Sequence, residues 1–423
     1  MRVRLDYGKE GLEVNLPDAN LKAVLGLQEA VALQNPETHI RNAIRYPIAS
    51  APLADVARGR RDACIVICDI TRPIPNETLL LPVLETLHKA NIPAERISIL
   101  IATGTHRPNL GAELEALIGS EIANQYTIIN HDSKDISQHR FLGNSPNGVP
   151  VWLDKAYTDA DLKITIGLIE PHFMAGFSGG RKLVMPGIAH FSTIQRWHCP
   201  RFLESPLATN GVVEGNPVHE ENLAIARMAK PDFIVDVTLD AANQITGVFA
   251  GDMWYAWREG VTFAEKNVRA KVTEPADIVV TSGAGYPLDA TFYQTVKGIV
   301  GALPAVKRGG TILIASQCAE GVGSPDFTRV LQEIEDLEVF VEYISQPEVF
   351  LPEEWQVEEL AKAVRHANVI CVAKGISNES LARCFVTPAD TVEEGLRLAF
   401  ERQGQNASLI AIPRGPYVIP TRA

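Results

Sequence analysis

Short apolar runs that stop abruptly at proline, glycine and polar residues are the feature that most constrains the fold of this chain. ACIVICDI (63–70) runs into TRPIPN, RISILIA (96–102) runs into TGTHRPN, and LKITIGLIE (162–170) ends at Pro171. Such β-branched runs are typical of strands buried on both faces, and helical patterns fill the gaps between them. Strands that alternate with helices predict an α/β fold with a mostly parallel sheet flanked by helices.

The same alternation restarts in the second half of the chain. Strands are predicted there at 277–282, 311–316, 368–373 and 408–412. A length of 423 residues favours two or three domains. We place the boundary so that residues 1–270 form one domain and residues 275–423 a second, and the last strand is compatible with packing on either. An antiparallel hairpin at the N-terminus and a helix over 42–57 are expected before the first buried strand.

Composition argues against several classes of function. The formal net charge of −12 argues against a nucleic-acid partner, because binding many phosphates needs a basic surface. No apolar run approaches the roughly eighteen residues of a membrane span, and no secretion signal is present, so a cytoplasmic protein without a membrane partner is expected. The six cysteines lack CxxC spacing and are expected to be reduced core residues.

Polar side chains follow the ends of three predicted strands. Asp69, Thr71 and Arg72 follow the first, His106 follows the second, and His172 follows the third. The C-terminal ends of parallel strands meet at one edge of a sheet, where open α/β folds bind their ligands. These side chains are therefore candidates for a shared binding site.

A glycine-rich turn follows His172 closely. Ser178, Gly179 and Gly180 supply a backbone that can take positive φ and approach a ligand, and Arg181 and Lys182 add positive charge. This combination predicts binding of a phosphate or another small anion, although SGGRK lacks the Walker A spacing.

Three of the ten histidines stand out for their settings. His106 and His172 follow strands, and His198 closes the loop sixteen residues after Lys182. The histidines expected at the surface or in caps are His39, His88, His139 and His366. A zinc site with a hydrolytic water is one interpretation, but zinc ligands often show short spacings such as HExxH, which is absent. SGAGYP only weakly imitates the GxGxxG of dinucleotide-binding proteins, and a purely structural role for these polar groups stays open.

The second half adds candidate binding residues in the segment YQTVK. Gln294 and Lys297 are three residues apart and share a helix face, beside Tyr293. Tyr293 is a candidate for shaping the substrate pocket. Trp355 is a weaker candidate, since ordinary packing explains it more readily.

Several motifs occur together in one order: DITRP, ATGTHRP, EPHFMAGFSGGRK, the histidine sixteen residues after that lysine, and YQTVK. With these motifs the chain resembles the nickel-pincer-dependent lactate racemase family of 2-hydroxyacid racemases and epimerases. The resemblance spans residues 69–297, and therefore parts of both predicted domains.

The resemblance implies a cofactor and a set of residue roles. Members of that family use a nickel-pincer nucleotide, Ni(II) pyridinium-3,5-bisthiocarboxylic acid mononucleotide, attached to a lysine that matches Lys182. His198 matches the nickel ligand, and His106 and His172 match the acid/base pair. The remaining matches are Asp69, Thr71 and Ser178 to Gly180, with Arg181 beside them, for the cofactor, and Arg72, Gln294 and Lys297, with Tyr293 beside them, for the substrate.

The implied reaction is racemisation or epimerisation of a lactate-like 2-hydroxy acid by reversible hydride transfer, in a cleft between the domains. Direct proton removal beside a carboxylate would leave a poorly stabilised dianion. Hydride removal with deprotonation of the hydroxyl leaves a planar ketone, and histidine, with an unperturbed pKa of about 6.5, suits that proton transfer. Two alternatives stay open: a zinc-dependent hydrolase of a phosphorylated substrate, and a non-catalytic homologue that keeps the cofactor site.

Overall fold

Helices and strands alternate through most of the chain in this computed structural model, which describes residues 1–28, 30–346 and 349–422. The first part contains β1 (Arg2–Leu5), β2 (Leu12–Asn15), β3 (Leu21–Val24), α1 (Pro36–Arg45), α2 (Leu53–Val56), β4 (Ala63–Cys68), α3 (Asn76–Lys89), β5 (Ile97–Ala102), α4 (Ala112–Ile118), α5 (Ser120–Gln125), β6 (Thr127–Asn130), β7 (His139–Asn144), β8 (Pro150–Asp154), α6 (Lys155–Thr158), β9 (Leu162–Leu168), β10 (Pro171–His172), β11 (Gly176–Phe177), α7 (Arg181–Val184), α8 (Phe191–Trp197), α9 (Pro200–Leu203), α10 (Pro217–Met228), β12 (Phe233–Leu239), β13 (Ile245–Gly251) and α11 (Met253–Val268). The second part contains β14 (Arg269–Val272), β15 (Ala276–Ser282), α12 (Phe292–Ala302), β16 (Val306–Ala315), α13 (Pro325–Glu333), α14 (Leu337–Ile344), α15 (Glu354–His366), β17 (Asn368–Val372), α16 (Asn378–Ala382), β18 (Thr387–Pro388), α17 (Val392–Gln403), β19 (Leu409–Ile412) and β20 (Ile419–Arg422).

The first sheet has the strand order β13-β12-β9-β4-β5-β6 across the described residues. All its neighbours are parallel except β12 and β13, which pair antiparallel. Every residue of β4 is buried, as expected for a central strand covered on both faces. The chain leaves β4 toward β5 and β6 but later continues from β9 toward β12. The crevice at the carboxyl ends of β4 and β9 is therefore a topological switch point, where α/β sheets bind ligands.

The second sheet has the strand order β18-β17-β16-β15-β19-β3, and all its pairs are parallel. The two parallel-dominated sheets with flanking helices confirm the predicted α/β fold class. The N-terminal residues depart from the predicted division, because Leu21 of β3 pairs with Leu409. Val3 and Val14 of the β1–β2 hairpin also pack with Ile278 in the second core. Residues 1–24 thus belong with the second sheet, a long-range pairing that local sequence patterns do not encode.

The region before β4 also differs from the expected helix over 42–57. α1 ends at Arg45, and the next helix is a single turn that starts at Leu53. Pro47 and Pro52 explain the break, because proline disfavours helical conformation in the residue before it and lacks an amide hydrogen. The hairpin and the strands β4, β5 and β9 follow the sequence prediction.

Five of the six cysteines are buried as free thiols, and Cys199 is half-buried, consistent with the expected reduced core residues. Within the described parts of the chain, no helix has the length and apolar character needed to cross a membrane.

Candidate functional site

A cavity of about 930 Å³, including its solvent-open mouth, lies at the switch point of the first sheet and is closed by α12 and α15 of the second half. The sequence-predicted residues that line it are Asp69, Thr71, Arg72, His106, His172, Ser178, Gly179, Lys182, His198, Tyr293 and Lys297. An adjoining cleft of about 2200 Å³ shares Asp69, Thr71, His106 and Tyr293 and also reaches Gln294. Residues from both halves of the chain therefore face one another across the cleft.

Asp69 fixes the orientation and tautomer of His106. Its Oδ2 lies 2.7 Å from His106 Nδ1, and its Oδ1 accepts a hydrogen bond from Thr71 Oγ1 at 2.6 Å. Burial opposes the charge on Asp69, but His106, Thr71 and Arg72 outweigh it, and the pKa of Asp69 lies below its usual value. The carboxylate therefore keeps the proton of neutral His106 on Nδ1. Nε2 is left as a proton acceptor.

His172 has the opposite tautomer. Its Nδ1 accepts from the backbone N–H groups of Met174 at 3.3 Å and Ala175 at 3.2 Å. Burial, together with Lys182 and Lys297, holds the pKa of His172 well below its usual value, so the ring is neutral. The proton of the neutral ring is then on Nε2, and the site contains one imidazole that accepts and one that donates.

The glycine turn brings Lys182 into the cavity. Gly179 and Gly180 have φ of 76° and 48°, a region that side chains disfavour, and the Gly180 N–H donates to Asp236 Oδ2 at 2.8 Å. The Nζ atom of Lys182 lies 5.3 Å from the centre of the Trp197 ring. Burial, followed by Arg181 and Arg72, holds the pKa of Lys182 well below its usual value. A lowered pKa favours the neutral form of an amine, which is the nucleophilic form.

His198 ends α8 in an aromatic setting. Its ring centre lies 4.0 Å from that of Trp197 and 4.9 Å from that of Trp355. The Nδ1 atom is buried and has no hydrogen-bond partner among the residues that the structure describes. Burial and the nearby Lys182 hold the pKa of His198 well below its usual value. Neutral imidazole with a free nitrogen is the form that binds transition metals.

Two cations, Arg72 and Lys297, lie close to one carboxylate, Glu170, and together they determine the charge at their side of the site. Arg72 Nε lies 2.8 Å from Glu170 Oε1 in a largely buried pair. Lys297 has no ion pair within the described ranges, and burial together with Arg72 lowers its pKa to about 7. Glu170 is a site residue that the sequence analysis missed, since nothing in its local sequence predicts the pair with Arg72.

Arg181, Gly180 and Gln294 lie outside the cavity, contrary to the expected direct contacts. The Arg181 guanidinium donates to the carbonyls of Ala175 at 3.0 Å and Phe177 at 2.8 Å, and its centre lies 4.0 Å from the Trp257 ring centre. Arg181 thus stabilises the glycine turn through these hydrogen bonds, on the side away from the cavity. Its side chain and that of Lys182 diverge because consecutive residues of a helix point about 100° apart.

Trp355 lines the cavity, although packing explained it more readily in the sequence. Its indole Nε1 donates to the Tyr293 hydroxyl at 2.9 Å, while its ring covers His198. This contact joins residues from α8, α12 and α15. No local motif signals it, because these three residues are far apart in the chain.

Comparisons with known proteins cover nearly the whole chain. Residues 7–211 match the lactate racemase N-terminal domain model, and residues 271–419 match the lactate racemase C-terminal domain model. The lactate racemase of Thermoanaerobacterium thermosaccharolyticum is 36% identical over 423 residues, covering 99% of this chain and 98% of that protein. That of Lactiplantibacillus plantarum is 35% identical over 422 residues, covering 99% of both.

Two solved structures are similar to this one. The lactate racemase apoprotein from T. thermosaccharolyticum has a TM-score of 0.94 and 34% identity, covering 100% of both chains. A Thermotoga maritima protein has a TM-score of 0.72 with 18% identity, covering 94% of this chain and 100% of its own, and is similar in fold alone.

Proposed function

The chain belongs to the lactate racemase family and is a racemase, and from this premise we propose that it interconverts the enantiomers of lactate or a similar 2-hydroxy acid by reversible hydride transfer. The observation that carries the proposal is the convergence of His106, His172, Lys182 and His198 on one cavity. Burial holds the pKa values of His172, Lys182 and His198 well below their usual ranges.

The residues present fit a nickel-pincer nucleotide attached to Lys182. The lowered pKa of Lys182 favours the neutral amine that can form a covalent bond, and the buried, unpartnered Nδ1 of His198 suits a borderline metal such as nickel. The turn at Ser178 and Gly179 offers backbone close to the cavity for the nucleotide. When bound, this group would supply the hydride acceptor.

Lys297 is the cation best suited to bind the substrate carboxylate. Arg72 is already paired with Glu170, whereas Lys297 faces the cavity from α12 without an ion-pair partner among the described residues. Arg72 then adds a positive electrostatic field and helps to position the carboxylate without binding it directly. Binding of the carboxylate in this way keeps the stereocentre in one place while the two histidines approach the hydroxyl.

His106 accepts the hydroxyl proton in one direction of the reaction. Its Nε2 is unprotonated in the neutral ring, and Asp69 stabilises the imidazolium that forms. Loss of this proton together with the hydride, which the bound cofactor would accept, would convert the substrate to a planar keto acid that can take the hydride back on either face.

His172 must exchange its tautomer to serve the other enantiomer. Its Nε2 accepts a proton only if a proton moves onto Nδ1, which ends the contacts with the N–H groups of Met174 and Ala175. Those contacts are long, at 3.3 and 3.2 Å, and are therefore weak. The loop at residues 173–175 is thus the part of the site that must adjust between the two directions.

The test uses the full chain made in cells able to build the nickel-pincer nucleotide. Intact mass should give one adduct on the unchanged protein and none on Lys182→Ala, and chiral chromatography should follow D-lactate to an equal mixture of enantiomers. Lys297→Ala is the matched control, because it removes a second lysine of the cavity and should keep the adduct.

Each other outcome points to a different function. An adduct that persists in Lys182→Ala refutes the proposed attachment of the cofactor to Lys182. Adduct and nickel without turnover of any 2-hydroxy acid would identify a non-catalytic homologue. Zinc without an adduct would favour a hydrolase only if that zinc is lost in His198→Ala, which places it in the catalytic cavity.

A further inference from the structure

Three buried polar side chains form a cluster outside the active-site cavity. One ligand atom from each of His131, His139 and Asp154 lies within 4.8 Å of the other two, and all three residues are at most 3% exposed. His139 was expected at the surface from its polar sequence surroundings, and that expectation is wrong. The residue begins β7, and its ring is enclosed by His131 and His190, with ring centres 5.0 and 5.1 Å away.

His139 has a free nitrogen that faces the protein interior. Its Nδ1 lies 2.8 Å from the carbonyl oxygen of Asp135 and must donate to it, since a carbonyl only accepts. The proton of the neutral ring is therefore on Nδ1. The Nε2 atom, with its lone pair, is buried and has no hydrogen-bond partner in the described chain. An unsatisfied acceptor in this setting costs free energy unless something binds it.

His131 lies between two acceptors but has only one proton in its neutral form. Its Nε2 lies 3.1 Å from the carbonyl oxygen of Ala189, and its Nδ1 lies 3.2 Å from Asp154 Oδ2. If the ring proton is on Nε2 and is donated to the Ala189 carbonyl, the lone pair on Nδ1 faces the Asp154 carboxylate oxygen. A cation shared by Nδ1 and Oδ2 removes this repulsion.

We propose that His131, His139 and Asp154 bind a zinc ion at a structural site separate from the catalytic cavity. Two imidazoles and one carboxylate are a ligand set that zinc accepts, with water in the fourth position. Tetrahedral bonds of about 2.0 Å place ligand atoms about 3.3 Å apart, close to the 3.2 Å between His131 and Asp154. Binding would draw the His139 ring inward from its wider separation.

The surroundings match those of metal-binding histidines. Each ring uses its second nitrogen to donate to a backbone carbonyl, Ala189 for His131 and Asp135 for His139, which fixes the tautomer and orients the free nitrogen. Asp154 is held in turn, because its Oδ1 accepts from the N–H of Ala156 at 2.8 Å. His131 also borders the large cleft between the two halves of the chain, although its side chain is fully buried.

The site would connect segments that support the active site. His131 follows β6, His139 and Asp154 belong to the β7–β8 hairpin, and Ala189 precedes α8, the helix that ends at His198. A zinc ion here would hold the start of that helix against the hairpin. The cluster is therefore expected to stabilise the fold rather than to react.

A buried ion pair between protonated His131 and Asp154 is the competing explanation, and a metal titration separates the two. The full chain, free of any polyhistidine tag and made without the nickel-pincer nucleotide, is stripped with a chelator and titrated with Zn²⁺ against a chromophoric chelator. We expect one tight zinc per chain and a rise in Tm of a few degrees on binding.

Two variants and one control locate the ion. His139→Asn keeps a donor for the Asp135 carbonyl but removes the free nitrogen, and Asp154→Asn removes the charge; each should weaken zinc binding by about 100-fold or more. His198→Ala alters the cavity only and should bind zinc like the unchanged protein.

Three results would overturn the proposal. They are the absence of a tight zinc in the stripped protein, equal affinity in His139→Asn and the unchanged chain, and loss of the zinc in His198→Ala. The first two leave the ion pair as the explanation. The third assigns the metal to the catalytic cavity and would favour the hydrolase, whereas the first two do not bear on racemase activity.

Discussion

The two halves of the molecule supply different kinds of residue to the cavity. The first half presents His106, His172 and Lys182 from the segments that follow β5 and β9. Hydrogen bonds fix the tautomers of the two rings, and burial lowers the pKa of Lys182. The second half presents Lys297 and Trp355 from the faces of helices. Lys297 provides positive charge, and the Trp355 ring packs against the His198 ring. In the proposed mechanism the first half would determine the chemistry, while the second would determine how firmly the substrate and the His198 ring are held. Substitutions in the first half should abolish turnover, and those in the second should change affinity.

His198→Ala should have the largest effect. Without the imidazole the proposed nickel ligand is lost, and kcat should fall by more than about 1,000-fold, because a catalytic metal contributes several kcal/mol. Nickel by elemental analysis should fall with it, measured in a His139→Asn background so that the second cluster contributes no metal. Full nickel content in this double variant would contradict the assignment of His198.

His106→Ala and His172→Ala should each reduce racemisation by about 100- to 10,000-fold, the usual contribution of an acid/base group. Both enantiomers should be used as substrates, since each direction needs both rings. A variant that retains full activity would exclude that histidine from proton transfer and weaken the contrast between the two halves.

Asp69→Asn should cost about 100-fold in kcat, less than the loss of the ring itself. The amide keeps the shape but no longer stabilises the imidazolium of His106 or fixes its tautomer. The readout is kcat for each enantiomer with adduct mass unchanged. A loss of adduct would mean instead that Asp69 holds the cofactor.

Lys297→Met should mainly raise KM, by about 10- to 100-fold, because a charge-assisted hydrogen bond to the carboxylate is worth about 1.5–3 kcal/mol. Methionine keeps most of the aliphatic stem, so that the packing near Phe173 persists. Steady-state kinetics give the answer. A drop in kcat at constant KM would move Lys297 into the chemical step and break the proposed division.

Trp355→Phe should have the smallest effect, about fivefold in kcat/KM. It keeps an aromatic ring over His198 but loses the hydrogen bond to the Tyr293 hydroxyl, worth about 1 kcal/mol. Tyr293→Phe removes the same bond from the other side and is the matched control. Unequal effects of the two variants would mean that one of these side chains has a further role.

The sequence predicted much of the site because the relevant information is local. Asp69, His106 and His172 follow β4, β5 and β9, and the carboxyl ends of parallel strands share an edge whatever the other side chains do. Glycine also permits the positive φ that Gly179 and Gly180 adopt. The locations of these residues could therefore be predicted, while their individual roles stay predictions.

By itself the sequence determined the two α/β layers, the strand-end loops and the resemblance that joins them to one family, because strand periodicity and turn residues act over short distances. Only the tertiary structure decided that Arg181 supports the turn from below, that Arg72 pairs with Glu170, and that β3 joins the second sheet. It alone brought His131, His139 and Asp154 together. The direction of a side chain and the partner of a strand depend on residues that are distant in the chain, which no local pattern specifies.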